Sequence, residues 1–382
     1  MTRLALLALL GCAAVSPLPA QLEDELTVTG SNRVPLSLRS FAGSAGAAAT
    51  ERLRADLRDS GVITFSNRPD AFRVQGSADG SQALATLFNP AGQSVFDRRY
   101  DAGSLPASIH ALSDDIVFAL TGRPGFASSR IVFTARRGRS KEIFLCDYDG
   151  AGLRQLTRDG SIAVAPAISN DRRLLAFTSY RSGYPDIEIL DLQSGARRRI
   201  ISYPGTNGGA AFSPDNRSLA LTMSFSGNSE LYVTGSSGGR PRALTRTAAI
   251  ESSPSWSPDG RELVYCASTG SLPQIYRMSS GGGTPRKLNL GFNYCTEPDW
   301  SPDGKRLVFT ARAGGSMVMA VHEFPTGRTA QLRAGEDPAW GADSRHLIFT
   351  SGGALFRLDT ETGASVRILP DMTGISEPSW SP

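Results

Sequence analysis

The sequence predicts a mainly β protein, in which a six-bladed β-propeller closed by its C-terminal strand follows a small α+β domain. Three observations support this. A W-S-P-D-like segment recurs every 44 or 40 residues, each recurrence is followed by further strand-like segments, and the helix-like patterns lie before the first repeat. Forty Gly and 23 Pro in 382 residues provide for the many turns that short strands require. The net charge is only +4 and the basic residues are scattered, which argues against a nucleic-acid partner.

The repeat is clearest at one position of the W-S-P-D turn. The spacings between successive occupants are 44, 44, 44, 40 and 40 residues, within the period typical of propeller blades. In the turn, Pro suits the second position, Asp can bond its own backbone and Gly accepts a positive φ. Three more strand-like segments follow each turn except the last, so each of these units predicts one four-stranded blade. The six occupants are Ser169, Ser213, Ser257, Ser301, Gly341 and Ser381.

One large apolar residue recurs at the position before this turn. It is Ile168 in the first unit, Phe212 in the second and Trp in the other four. One such side chain per repeat indicates packing between blades rather than a binding site. The four Trp residues are Trp256, Trp300, Trp340 and Trp380.

The two ends of the propeller region are complementary. Residues 129–157 contain the second, third and fourth strands of a blade without a first strand, whereas the last W-S-P segment is a first strand without the others. We therefore expect the C-terminal strand to complete the blade formed by residues 129–157 and so to close the ring, which removes the open sheet edges.

The N-terminal third divides into several segments. Residues 1–20 have the apolar run and small-residue end of a secretory signal peptide, with cleavage near Ala20. The segment "LLGC" leaves lipoprotein processing at Cys12 as an alternative, and in both cases the mature protein lies outside the cytoplasm. We expect a flexible arm over 21–33, an α+β domain over 34–122, a linker over 123–128 and the propeller over 129–382. In the α+β domain, residues 47–61 and 105–122 are predicted helices.

Candidate chemical motifs are few, and each has a structural explanation. His110, His322 and His346 have no metal-site spacing. "GSSGG", with Ser237 at its centre, matches G-x-S-x-G but falls in a turn of the repeat rather than between a strand and a helix. Cys266 and Cys295 are expected to be buried thiols, with a disulfide between adjacent blades as the alternative. We expect no catalytic, cofactor or metal site, although the sequence leaves open whether the propeller channel binds a metal ion.

Another repeat position lies at the start of each inner strand, mostly just before Pro. Because inner strands line the channel of a propeller, these residues are expected to share one mouth of that channel. Three adjacent blades have carboxylates there, which are either solvated loop charges or a rim that attracts a cationic group of a partner or a metal ion. The six residues are Ala165, Gly209, Ser253, Glu297, Asp337 and Glu377.

The order of these parts resembles the TolB family, the periplasmic propellers of the Tol–Pal system. The resemblance extends over nearly the whole mature chain through "VPLSLRSF", "ADLRDSG", "IFLCDYDG", "NGGAAFSPD", "PQIYRMSSGG" and the terminal "PSWSP". The chain departs from the family between "VITFSN" and "FRVQGSA", where a further helix and strand are usual, and at "WGADS" in place of W-S-P-D-G.

The resemblance implies a non-enzymatic, monomeric periplasmic scaffold, peripheral to the envelope membranes, that supports outer-membrane integrity and cell division. It implies that the lipoprotein Pal binds the channel-mouth face and that TolA binds the N-terminal arm, which includes Glu23, Asp24 and Glu25. The competing interpretation is a secreted enzyme accessory or a module that binds cell-wall sugars. The expected Pal-binding residues are Thr206, Asn207, Gly208, Ser252, Ser253, Thr296, Glu297, Asp337 and Glu377.

Overall fold

The structure is a computed structural model that describes residues 33–270 and 272–381. The expected signal peptide, Cys12 and all of the arm except Arg33 lie outside these residues. In the described part of the chain, neither of the two α-helices has the length and hydropathy needed to cross a membrane.

The N-terminal domain is a five-stranded sheet of strand order β2-β1-β3-β4-β5, with two helices packed against it. Leu53 and Leu57, four residues apart on α1, are fully buried together with Leu112 of α2. Helix α2 begins after the side-chain cap of Ser104 and ends at Gly122, whose φ of 70° permits the left-handed cap. The elements are β1 (Val34–Leu38), α1 (Gly46–Asp59), β2 (Ile63–Phe65), β3 (Phe72–Asp79), β4 (Gln82–Phe88), β5 (Ser94–Asp101) and α2 (Leu105–Thr121).

The rest of the described chain forms six four-stranded antiparallel sheets, the blades of a propeller. The sixth contains the first three strands of this region, which are β6 (Arg130–Arg137), β7 (Ser140–Asp147) and β8 (Arg154–Gln155). Blade 1 is β9 (Ala163–Ile168), β10 (Leu174–Ser179), β11 (Asp186–Asp191) and β12 (Arg197–Ile201). Blade 2 is β13 (Asn207–Phe212), β14 (Ser218–Met223), β15 (Glu230–Gly235) and β16 (Arg242–Ala243).

The remaining blades follow in chain order. Blade 3 is β17 (Ile250–Trp256), β18 (Glu262–Ser268), β19 (Gln274–Ser279) and β20 (Arg286–Lys287). Blade 4 is β21 (Cys295–Trp300), β22 (Arg306–Ala313), β23 (Ser316–Glu323) and β24 (Thr329–Ala334). Blade 5 is β25 (Glu336–Trp340), β26 (His346–Ser351), β27 (Ala354–Asp359) and β28 (Ser365–Arg367). Blade 6 is completed by β29 (Ile375–Trp380).

Ring closure occurs where the sequence predicts it. Strand β29 pairs antiparallel with β6, with Ile375 opposite Ala135 and Trp380 opposite Ile131. The sixth blade therefore joins the last described strand to three strands from the beginning of the propeller. The prediction of a six-bladed propeller after an α+β domain is confirmed.

The recurring large apolar residues pack between blades, as expected. The indole N–H groups of Trp256 and Trp340 donate to the carbonyls of Ala211 and Asp299, each in the preceding blade. Trp300, Trp340 and Trp380 are buried, whereas Trp256 is half-buried. Stacking of this kind places all six inner strands around one channel.

Candidate functional site

The six inner strands surround a central channel. It encloses a cavity of about 580 Å³ lined by the inner strands of all six blades. The starts of these strands surround one end, which we call the channel-mouth face. The S-P-D turns, which include Pro214, Pro258 and Pro302, lie at the other end.

The repeat position singled out at the strand starts has an unusual backbone. Every occupant has a positive φ, between 50° and 60°, although five of the six are not glycine. In each blade the pairing register with the next strand shifts at this position, as in a β-bulge. Gly209 precedes Ala210 rather than Pro, unlike the other five. Non-glycine residues in this region are strained, and such strain is concentrated at functional sites.

Glu297, Asp337 and Glu377 form a chain of carboxylates around half of the mouth. Each accepts a hydrogen bond from the backbone N–H at the same position in the next blade. The donors are Asp337 at 3.1 Å from Glu297, Glu377 at 2.9 Å from Asp337, and Ala165 at 2.9 Å from Glu377. The carboxylates are thus linked from blade 4 through blade 6 to blade 1.

A threonine hydroxyl supports each of these carboxylates. Thr310 donates to Glu297 over 2.6 Å, and Thr134 donates to Glu377 over 2.9 Å. Thr350 donates to Asp337 over 3.3 Å. All three carboxylates are half-buried. They are therefore held in place by blade-to-blade hydrogen bonds, which freely solvated loop charges would lack.

The other half of the mouth has no carboxylate at this position, since Ala165, Gly209 and Ser253 occupy it. There the hydroxyl of Thr178 accepts directly from the N–H of Gly209 over 3.3 Å. The mouth is therefore asymmetric, with negative charge on blades 4 to 6 and neutral groups on blades 1 to 3.

Burial raises the pKa of two carboxyl groups in the channel. Burial, and after it the charge of Asp337, raises the pKa of Glu297 to about 7. Burial raises the pKa of Asp299, two residues further along β21, to about 6. Glu297 consequently changes charge close to neutral pH.

Exposed apolar side chains lie on the neutral half of the same face. Some lie at or just before the start of an inner strand, and the others lie in the loop that joins the second strand of a blade to the third. Both places are at the mouth. The ring of Phe225 packs against Tyr203 and Tyr232, at centroid distances of 5.0 and 5.3 Å. A grouping of exposed apolar residues on one face is typical of an interaction surface. The exposed residues are Ile162, Tyr184, Phe225, Ile250 and Leu272.

The other residues expected at this face lie on blades 2 to 4. Thr206, Gly208 and Asn207 are at the start of β13, Ser252 and Ser253 in β17, and Thr296 in β21. Asn207 is fully buried, and its side-chain amide donates to the carbonyls of Pro185 and Tyr203 over 3.0 and 2.7 Å. Its side chain therefore positions neighbouring loops. Glu23, Asp24 and Glu25 lie outside the described residues.

The opposite face carries the S-P-D turns and the N-terminal domain. In three turns a serine hydroxyl donates to the Asp two residues later over 2.6 Å: Ser213 to Asp215, Ser257 to Asp259, and Ser301 to Asp303. These bonds lower the pKa of Asp215 and Asp259. The three turns match the local conformation that the motif predicts.

A buried polar network, which sequence reasoning missed, joins the N-terminal domain to blade 6. The carboxylate of Asp56 accepts from the hydroxyl of Tyr148 over 2.7 Å and lies 2.8 Å from Nδ1 of His110. Arg357 of blade 5 forms a 2.8 Å ion pair with Asp59. The segment "DYDG" thus provides a domain contact through Tyr148. The one sequence signal for this network is that Asp56 and Asp59 lie on the same turn of α1.

The other candidate chemical groups in the sequence are Ser237, the cysteines and the histidines. Ser237 lies in the turn between β15 and β16, and its carbonyl accepts from Arg198 over 2.8 Å. Cys146, Cys266 and Cys295 are free and buried. Among the described residues, His, Cys, Asp and Glu side chains nowhere gather in threes with metal-ligand geometry.

Comparison with known proteins agrees with this architecture. The family profile described as "TolB beta propeller domain" matches residues 117–382. The chain is 42% identical over 120 residues to the "Protein TolB homolog" of Chlorobium chlorochromatii (strain CaD3), covering 30% of this chain and 27% of that protein. It is 45% identical over 69 residues to the "Tol-Pal system protein TolB" of Desulfosudis oleivorans (strain DSM 6200 / JCM 39069 / Hxd3), covering 18% and 16% of the two chains.

The alignments with these two relatives thus span at most 27% of the relative's length. At the level of structure, TolB from Acinetobacter baumannii superposes with a TM-score of 0.80 at 24% sequence identity, covering 92% of this chain and 97% of that one. This similarity extends to the N-terminal domain as well as the propeller, and it is a similarity of fold.

Proposed function

The chain belongs to the TolB β-propeller family, and from this premise we propose that it is a non-enzymatic, protein-binding scaffold of the Tol–Pal system in the periplasm. Its propeller binds a Pal-like peptidoglycan-associated lipoprotein, and its N-terminal arm binds a TolA-like inner-membrane protein. In this role it supports outer-membrane integrity and cell division as a monomer. The name "Tol-Pal system protein TolB" of a curated relative supports this assignment.

The observation that carries the proposal is the two-part chemistry of the channel-mouth face. Three half-buried carboxylates, Glu297, Asp337 and Glu377, lie on one half, and exposed apolar side chains that include Tyr184 and Phe225 lie on the other. A matching partner segment carries a cationic group beside apolar side chains. Complementary charge of this kind mainly speeds encounter, whereas apolar burial mainly slows dissociation.

Each carboxylate is fixed before a partner arrives, because it already accepts hydrogen bonds from a threonine and from the next blade. A prearranged site loses less conformational entropy on binding than a mobile one. The rigid blades therefore suit recognition of a folded partner domain.

The test is the association rate of a Pal domain as a function of ionic strength, for the native chain and E297Q/D337N/E377Q. The amides keep an oxygen acceptor for the backbone N–H groups while they remove the charge. We expect association at low salt to slow by about tenfold and its salt dependence to flatten.

The matched control is D215N/D259N/D303N, which removes three charges at the opposite end of the channel. These carboxylates accept serine hydroxyls within turns, so the control should lower thermal stability and leave the association rate largely unchanged. If the rim variant binds Pal with the native rate and salt slope, the channel-mouth carboxylates do not take part in docking.

The arm is tested separately. A chain that begins at residue 34 should lose capture of a TolA domain and keep binding of Pal. Mass spectrometry of the material retained from an envelope extract then distinguishes the candidate functions. A Tol–Pal scaffold would retain Pal and TolA, an enzyme accessory would retain a hydrolase, and a sugar-binding module would retain peptidoglycan fragments.

A further inference from the structure

Two buried carboxylates beneath the channel-mouth face, outside the rim described above, are bound by the same residue, Thr247. Glu230 begins β15 in blade 2, and Glu251 lies at the start of β17 in blade 3. Their exposed fractions are 5% and 1%. The loop 244–249, which joins the two blades, passes over them and leads directly to Ile250, Ser252 and Ser253 on the mouth.

Thr247 of this loop binds both carboxylates. Its backbone N–H donates to Oε1 of Glu230 over 2.8 Å, and its hydroxyl donates to Oε1 of Glu251 over 2.9 Å. The other oxygen of each group, Oε2, is buried and has no hydrogen-bond partner among the described residues. Asn228 ties the loop down further by donating to the carbonyls of Thr247 and Ala249, over 3.1 and 2.5 Å.

None of the described ion pairs includes Glu230 or Glu251, whereas buried carboxylates in two other blades have cationic or hydrogen-bonding partners. In blade 1, Arg199 pairs with Asp186, and Arg197 pairs with Glu188. In blade 6, Glu142 accepts from the Thr157 hydroxyl and from two backbone N–H groups. Two uncompensated buried anions would strongly destabilise the folded state.

The other titratable groups around the pair supply no positive charge. Tyr265 of β18 is buried, and its pKa is raised by burial and by the charges of Glu251 and Glu230. Arg246 in the loop is exposed, and the described ion pairs do not include it. The missing positive charge must therefore come from a bound species, for which the smallest candidate is a proton.

We infer that Glu230 and Glu251 share one proton at neutral pH, and that this proton keeps the loop 244–249 closed and so regulates docking on the channel-mouth face. With the proton on the Oε2 of one group, that O–H donates to the Oε2 of the other group, which would give both unpartnered atoms a hydrogen bond. Its loss leaves two buried negative charges, which gain hydration when Thr247 and its loop move away. The regulatory part of this inference rests on the proposed function.

The electrostatics agree with this arrangement. Burial, followed by the charge of Glu230, raises the pKa of Glu251. A carboxyl group with a raised pKa in the folded state destabilises that state as pH rises from the unfolded pKa to the folded one. The closed loop should therefore be more stable at low pH and should loosen as pH rises.

The first test needs no partner. In the full chain, the infrared spectrum of the native protein minus that of E251Q should show the carbonyl band of a protonated carboxylic acid at neutral pH. The thermal stability of the native chain should fall more steeply than that of E251Q as pH rises above 4.5, the ordinary pKa of a Glu side chain. In E251Q the side-chain amide takes the place of the proton as a permanent donor to Glu230.

E142Q is the matched control, because Glu142 is a buried carboxylate in blade 6 with donors for both oxygens. It should keep the native carboxylic-acid band and the native pH slope, whatever its stability. E230Q gives a mirror-image test should E251Q fold poorly. The shared proton would be refuted if the native spectrum contained no carboxylic-acid band that disappears in E251Q or in E230Q.

The second test measures dissociation of a Pal domain from the same proteins. Dissociation from the native chain should become several-fold faster as pH rises above 4.5, the ordinary pKa of a Glu side chain, and dissociation from E251Q should change much less. An equal pH dependence in both proteins would overturn the regulatory role. Absence of any Pal binding would instead refute the proposed partner, and the infrared result would still decide whether the proton is shared.

Discussion

The indole Nε1–H of Trp380 donates a 2.6 Å hydrogen bond to the hydroxyl of Ser129, 251 positions earlier in the sequence. The N–H of Arg130 in turn donates to the hydroxyl of Ser381 over 2.9 Å. These two bonds lie at the junction of β29 and β6, where the ring closes. Trp380 also packs edge-on against Phe126, so the closing strand contacts the segment that leads from the N-terminal domain.

Replacing Trp380 with Ala should therefore lower the free energy of unfolding substantially. Trp380 is buried in the cluster that joins β29, blade 6 and Phe126, and truncation of a buried Trp typically costs about 3–5 kcal/mol. The measurement is urea-induced unfolding followed by circular dichroism. Trp256→Ala, at a half-buried position of the same repeat, should cost less.

Deletion of residues 375–382 tests closure more severely. It removes the inner strand of blade 6 and exposes the edge of β6, so we expect the shortened chain to aggregate or to lose cooperative unfolding. A shortened chain that melts cooperatively near the native temperature would mean that β29 contributes little to holding the ring together.

The propeller was predictable because its determinants are local and repeated. The S-P-D turns, the Trp position and the split sixth blade can all be read from spacing alone, and the same turn chemistry appears in Asp215, Asp259 and Asp303. The N-terminal helices were predictable from apolar periodicity: the expected 47–61 and 105–122 compare with Gly46–Asp59 and Leu105–Thr121.

The site was only partly predictable. Repeat alignment brought Glu297, Asp337 and Glu377 to one position, but it could not reveal their positive φ or their bonds to the next blade. Their hydrogen bonds, formed in half-buried surroundings, give these carboxylates a structural role that freely solvated loop charges would lack. The pair of Glu230 and Glu251 was missed because it joins different repeat positions of two blades, and such a pairing emerges only in three dimensions.

Tyr148→Phe should weaken attachment of the N-terminal domain to the propeller. The substitution removes one of two side-chain partners from the buried carboxylate of Asp56. Loss of a hydrogen bond to a buried charged group costs about 1–3 kcal/mol. Calorimetry should show a lower melting temperature, or separate melting of the two domains.

The control for this prediction is Arg123→Ala, which breaks the 3.3 Å pair with Glu361 across the same interface. Arg123 is largely exposed in that pair, so its removal should have a much smaller effect than loss of the Tyr148 hydroxyl. Equal melting temperatures for the native chain and Tyr148→Phe would show that the Asp56 network does not hold the domains together.

Ser237 should not react with a fluorophosphonate probe. Its G-x-S-x-G match lies in a turn between two strands, whereas a nucleophile elbow requires a strand followed by a helix. Intact-protein mass spectrometry after incubation with the probe gives the answer. An adduct on the native chain that Ser237→Ala abolishes would contradict the assignment of this segment as a structural turn.

The stability and the charge of the rim should both change with pH through Glu297. Its pKa is raised to about 7 in the folded chain, from the 4.5 of an ordinary Glu, first by burial and then by the charge of Asp337. A raised carboxyl pKa means that the folded state binds the proton more tightly than the unfolded state. Glu297 therefore causes stability to fall as pH rises from about 4.5 to about 7, and E297Q should remove this part of the slope.

The same ionisation should change partner binding in the opposite direction. As pH rises through about 7, Glu297 becomes negative and adds to the charges of Asp337 and Glu377, so association with a basic partner should become faster. This effect acts on the association rate, whereas the loop 244–249 is expected to act on the dissociation rate. Stopped-flow kinetics measures the two rates separately. E377Q, which removes a rim charge but leaves Glu297 beside Asp337, should keep the pH-dependent increase, and E297Q should lose it. Equal pH profiles for the native chain and E297Q would show that another group controls the charge of the rim.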